Sequence, residues 1–196
     1  MFNQHVYPEL ESDTAVVHHE LGHAFVWLSD GGIVDHIRFW RDRNGLLSGG
    51  MRQGLPPSRP GETESALLER MWNENSVQYA RRLLAGEIAA RRFLNLPEDE
   101  ITCGFLITRD SALMSLLPTI ELESSGIVKA LHIAHDAAGD DWHPWIAQRH
   151  LEARERIERL WAGLESFACD VLSILSSQVE NQLIIPGRDV RAAFLV

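Results

Sequence analysis

The chain has 196 residues, enough for one well-buried domain or at most two small ones, and 45% of them are hydrophobic. Its formal charge is −10 at pH 7, a balance that repels phosphate backbones. No apolar run approaches the roughly eighteen residues that cross a bilayer, and no G-x-x-x-x-G-K-[ST] loop is there to hold a nucleotide. The expectation is a single domain over 1–196 with no membrane segment. Arg38, Arg41, Arg43 and Arg52 are the best candidates for a basic patch. Paired strands expose such charges routinely, so no nucleic-acid partner is expected. The start of the chain lacks the basic-then-apolar order of a secretory signal, and Cys103 and Cys169 are too few for a disulfide framework. Free thiols and a cytoplasmic location are expected.

The first element to read is a helix. Ser12, Asp13 and Thr14 offer cap side chains, and Asp30-Gly31-Gly32 offers a stop. Between them Val17, Leu21, Ala24 and Leu28 recur at helical spacing, which predicts one apolar stripe facing the core. Ile33 to Arg41 predicts a strand, Asn44-Gly45 a tight turn, and Leu46 to Met51 the returning strand. Pro56, Pro57 and Pro60 make a loop of Gly54 to Gly61. Glu64 to Leu94 predicts helix, broken near Asn73 to Asn75, with Leu83, Leu84, Ile88 and Ala89 on its buried side. Ile101 to Ile107 predicts a short extended segment, and Thr108 caps a helix to about Leu117. Another helix is expected around Ile127 to His135, then a polar loop over Asp136 to Asp141. Pro144 to Gln178 predicts one or two charged helices that bury Ile157, Leu160, Leu164, Phe167, Leu172 and Leu175. The fold class is therefore mainly α (α+β): a helical domain with a small sheet beside the first helix.

That first helix carries His19-Glu20-Leu21-Gly22-His23, an H-E-x-x-H pattern. Helix residues four apart lie one turn above each other, so His19 and His23 can offer two imidazole nitrogens to one ion. Glu20 lies about 100° round the helix. It can reach a water on that ion but is badly placed to be a ligand. Such a carboxylate takes the water's proton as the water attacks a carbonyl, so the pattern points to zinc-assisted amide hydrolysis. Gly22 costs about 1 kcal/mol relative to Ala inside a helix. Its presence asks for a reason, such as close approach of another backbone or of a substrate. His18 points to another side of the helix and is not expected to be a ligand.

The run Ala15-Val16-Val17-His18-His19-Glu20-Leu21-Gly22-His23-Ala24-Phe25-Val26 resembles the start of the peptidase domain of the FtsH family of ATP-dependent zinc metalloproteases. Three later landmarks follow in family order. His36-Ile37-Arg38-Phe39 through Asn44-Gly45-Leu46-Leu47-Ser48-Gly49-Gly50 is similar to the hairpin after the metal helix. Leu83-Leu84-Ala85-Gly86-Glu87-Ile88-Ala89-Ala90 resembles the family's helix of small residues. Leu183-Ile184-Ile185-Pro186-Gly187-Arg188-Asp189-Val190 looks like its closing turn and final short helix.

The resemblance implies a stand-alone zinc metallopeptidase domain without the AAA+ motor. Its implied zinc ligands are His19, His23 and an Asp at the start of a later helix, whose matching position is Asp110 in Thr108-Arg109-Asp110-Ser111. Glu20 would be the catalytic base. The family usually has Asn-Asp-Leu where this chain has Arg-Asp-Ser, and an acidic residue in a first helical turn is favoured by the dipole without any metal. Glu87 is the rival ligand and would give a His-His-Glu set. His132, His135, Asp136, Asp141 and His143 form another polar cluster, read as a solvated loop rather than a second metal site. The substrate implied is a protein or peptide in a flexible or unfolded segment. The resemblance also leaves room for a homo-oligomer or a separate motor chain. Two other readings keep the same motif: a regulatory protease that cleaves repressors, and a non-catalytic adaptor module stabilised by its metal.

Overall fold

In the computed structural model, which describes residues 12–63, 65–67, 70, 74–96, 126–177 and 181–195, helix α1 runs Asp13–Ser29. It begins where the cap residues place it: the Ser12 hydroxyl accepts from the Ala15 backbone N–H at 3.3 Å. Asp13, in the favourable first turn, also holds Arg41 at the far end of the hairpin's first strand. The helix stops at Asp30. There a buried carboxylate takes Arg81 and Arg156, each at 3.0 Å, and so ties the helix end to two others.

Three strands form one antiparallel sheet in the order β2-β1-β3, where β1 is Val34–Arg41, β2 is Leu47–Gln53 and β3 is Gln182–Pro186. Asp42 accepts from the backbone N–H groups of Asn44 and Leu46, and Gly45 adopts φ 82°, which makes the turn expected at Asn44-Gly45. Ile37 and Phe39 face the helices while Arg38 and Trp40 face away. Phe39 stands opposite Gly49 on one side and Leu183 on the other. Strand β3 adds to the sequence reading, which took Leu183 to Val190 for a closing turn and a short helix and assigned no strand there. Leu183 and Ile185 are buried and alternate with exposed Gln182, Ile184 and Pro186. Five residues are too few for that alternation to stand out, and the strand exists because β1 offers a free edge.

The remaining helices wrap α1. They are α2 (Ser76–Phe93), α3 (Gly126–Ala138), α4 (Trp142–Ser177) and α5 (Gly187–Phe194). α2 starts after Asn75, where the sequence suggests a break, and buries Leu83, Leu84, Ile88 and Ala89 as expected. Asp136 to Ala138 close the last turn of α3 instead of opening a loop, and only Gly139–Asp141 make a 3-10 turn. α4 is one continuous helix of 36 residues. The single stripe expected for α1 is too narrow. Ala15, Val17, His18, Leu21, Ala24, Phe25, Val26 and Trp27 are all buried, because α2, α4 and the sheet meet it from different sides. A helix enclosed this way has no wet face to generate a polar stripe. The expected segments 101–107 and 108–117, with Cys103 and Asp110, lie outside the described residues. Among the described residues no helix is long and apolar enough to cross a membrane.

Candidate metal centre

His19 and His23 turn their rings toward each other, with Nε2 atoms 3.0 Å apart and rings close to perpendicular. The orientation of His23 comes from outside α1. Its Nδ1 lies 2.6 Å from the Arg82 backbone oxygen in α2. A carbonyl can only accept, so Nδ1 carries the proton and Nε2 keeps its lone pair. This is how metal-binding histidines are usually held, the second nitrogen locked so that the first is free to ligate. Burial first, and then the neighbouring His19, hold His23 well below its ordinary value of 6.5, against the pull of the Arg82 hydrogen bond. A neutral, oriented imidazole results.

Three glycines leave the space for this arrangement. A Cβ on Gly22 would fall 2.6 Å from the Ala85 backbone oxygen and 2.7 Å from the Ala89 methyl, so α1 and α2 cross where neither has bulk. The close backbone approach suggested by Gly22 is therefore that of α2. A Cβ on Gly86 would lie 2.5 Å from His23 Nε2, so the imidazole rests on bare backbone. On β2, a Cβ at Gly49 would lie 2.5 Å from Glu20 Cγ. The sheet thus comes close enough to bury the Glu20 side chain.

Glu20 is 8% exposed and accepts a hydrogen bond from the Met51 backbone N–H. Burial raises its pKa above the ordinary carboxylate value, and His19, the Met51 N–H and Arg82 pull it partly back. A carboxylate of raised basicity beside a His pair is suited to taking a proton near neutral pH.

The chain matches no protein-family model, and a search of curated proteins finds no relative. Two imidazole nitrogens on a tetrahedral ion at 2.0–2.1 Å stand about 3.3 Å apart. The observed 3.0 Å is close to that spacing, and the donor set is one that suits zinc.

Glu87 accepts a hydrogen bond from Arg91 at 2.7 Å, so its charge is already paired along α2. Asp110 lies outside the described residues. Among the described residues no group of three His, Cys, Asp or Glu is placed to hold a metal. His135, Asp136 and Asp141 are exposed around the turn between α3 and α4, and the side chain of His132 lies outside the description. His18 turns away from the pair. It is 2% exposed, donates from Nδ1 to the Thr14 oxygen at 2.7 Å and stacks on Phe93 at 4.2 Å. Arg41 is paired with Asp13, and Arg52 faces Asp35 at 3.8 Å. Arg82 was not singled out by sequence. Its only trace there is its place four residues before Gly86, one helical turn away.

Proposed function

We propose that this chain is a zinc-dependent metallopeptidase that hydrolyses peptide bonds in flexible or unfolded protein segments, with no ATP chemistry of its own. The observation that carries this reading is the His19–His23 pair, with His23 oriented by the Arg82 carbonyl and a buried, basic Glu20 on the next position of the same helix. His19 and His23 would hold the ion, and Asp110 is our candidate for the third protein ligand, on the family resemblance. Bound zinc would supply Lewis acidity, which makes a water acidic near neutral pH and polarises a carbonyl. Glu20 would take the proton from the attacking water. It would then hand that proton to the amide nitrogen as the C–N bond breaks. Strand β2 pairs only with β1 among the described residues, and its outer edge would bind the substrate as an added strand beside Glu20. A flexible segment suits that edge because only an extended chain can pair with it.

Elemental analysis and casein digestion test the reading together. The purified protein should carry about one zinc per chain. His23→Ala should lose the zinc, whereas Glu20→Gln should keep the zinc and lose the cleavage. Full zinc in His23→Ala would remove α1 from the site. Zinc binding without cleavage of any unstructured protein would favour the non-catalytic module.

A further inference from the structure

The hydrolytic reading uses Arg82 only through its backbone oxygen on His23 and the effect of its charge on Glu20, and leaves the surroundings of its guanidinium unexplained. That guanidinium is partly buried, lying 4.8 Å from the Tyr79 ring centre and 5.5 Å from that of Trp27. Its Nη1 donates to the Gln53 side-chain oxygen at 3.0 Å, while its Nε is buried with no hydrogen-bond partner. Other arginines with little exposed side chain have a carboxylate: Arg70 has Glu62 at 2.7 Å, Arg91 has Glu87 at 2.7 Å, and Arg81 and Arg156 share Asp30 at 3.0 Å. Arg82 forms no such ion pair among the described residues, in a chain whose net charge is −10. Glu20 is near enough for the two charges to act on each other but forms no direct ion pair with it. A sheltered guanidinium with no carboxylate in direct contact is costly, and a carboxylate arriving from outside would relieve that cost.

The position of this charge says which anion. Gly49, Met51 and Gln53 lie on one face of β2, since strand residues two apart share a face. Gly49 and Met51 contact Glu20, and Gln53 contacts Arg82. A chain added along the free edge of β2 would direct every second side chain to this same face. The side chain that meets Arg82 would then sit about 7 Å, or two residues, along the strand from the one beside Glu20. We propose that Arg82 is a specificity-determining residue that selects substrate segments with a carboxylate side chain about two residues from the scissile bond. The guanidinium fork is shaped for a carboxylate, and its aromatic neighbours keep it from folding away. This inference rests on the peptidase reading.

Two measurements separate the inference from that reading. First, the zinc-loaded full chain digests a mixture of unstructured synthetic peptides in which Glu, Gln, Lys and Leu are equally frequent, and cleavage sites are mapped by mass spectrometry. Sites with Glu two residues from the cut should exceed those with Gln by roughly tenfold. Arg82→Lys should keep the larger part of the preference, and Arg82→Met should lower cleavage of Glu peptides more than that of Gln peptides, bringing their ratio toward one. Cleavage with no Glu preference in wild type overturns the inference and leaves the peptidase reading intact. An equal fall in kcat for Glu and Gln peptides in Arg82→Met also overturns it, by assigning the residue to the reaction itself. Second, matched Glu and Gln peptides are titrated into the zinc-loaded Glu20→Gln variant, which binds without cutting. Tighter binding of the Glu peptide supports the inference even if Arg82→Met fails to fold or wild type cuts nothing. Equal binding overturns it.

Discussion

Gly86→Ala sets helix propensity against site geometry. Inside a helix, Gly to Ala is favourable by about 1 kcal/mol. Here the added methyl would start 2.5 Å from His23 Nε2, whereas ordinary contact begins at 3.4 Å. The ring must therefore retreat by about 0.9 Å, several times the roughly 0.2 Å tolerance of a metal–ligand distance. The imidazole cannot slide freely, because its Nδ1 is held 2.6 Å from the Arg82 oxygen. Losing that bond costs about 1–3 kcal/mol. In the metal-free protein the two effects nearly offset, and stability should fall by about 0–2 kcal/mol. Zinc affinity should fall by about tenfold to a hundredfold, as when a partner that orients a ligand is removed. The zinc-dependent part of the stability should shrink by about 1.4–2.8 kcal/mol. Thermal melts with and without zinc, together with competition against a chelating dye, measure both quantities. A variant that melts higher without metal and still binds zinc like wild type would show that His23 does not rest on Gly86 in the zinc-bound state.

Four other substitutions probe different parts of the chain. Asp110→Ala should weaken zinc binding strongly, and Glu87→Ala should leave it nearly intact because Glu87 is engaged by Arg91; dye competition on both variants decides, and the reverse order would move the protein toward a His-His-Glu site. Burial lowers the His18 pKa below 6.5. The stability carried by neutral His18 is thus fully present above pH 6.5 and is lost as pH falls below it, since the unfolded chain takes up the proton first. His18→Phe keeps a ring for Phe93 and should reduce the acid-side slope of urea-unfolding stability, measured with chelator present, by up to about 1.4 kcal/mol per pH unit. The part due to His23, which shifts in the same direction, should remain, so an unchanged slope would refute the assignment to His18. Asp30→Ala leaves Arg81 and Arg156 without their shared carboxylate and should destabilise the fold by about 3–5 kcal/mol in denaturant titration, with zinc affinity little changed.

Local features were legible in the sequence. Ser12, Asp30 and the Asn44-Gly45 turn place α1 and the first hairpin, because caps and turns depend on neighbours along the chain. The four-residue spacing of His19 and His23 determines that their rings share a helix face, and it places Glu20 beside them. Other features depend on partners distant in sequence. Gln182 to Pro186 becomes a strand only because β1 has a second edge to pair with. The proton on His23 is placed by a carbonyl 59 residues away. Gly49 and Gly86 show in sequence only as breaks in propensity, and only packing reveals that Glu20 and His23 occupy the space they leave. Arg82, an ordinary basic residue in an amphipathic helix, becomes a sheltered cation beside Glu20 only when α1, α2 and β2 come together. The chain order sets which groups can be neighbours through the local helix. Burial, tautomer and charge environment depend on which surfaces meet, and those are properties of the packed molecule.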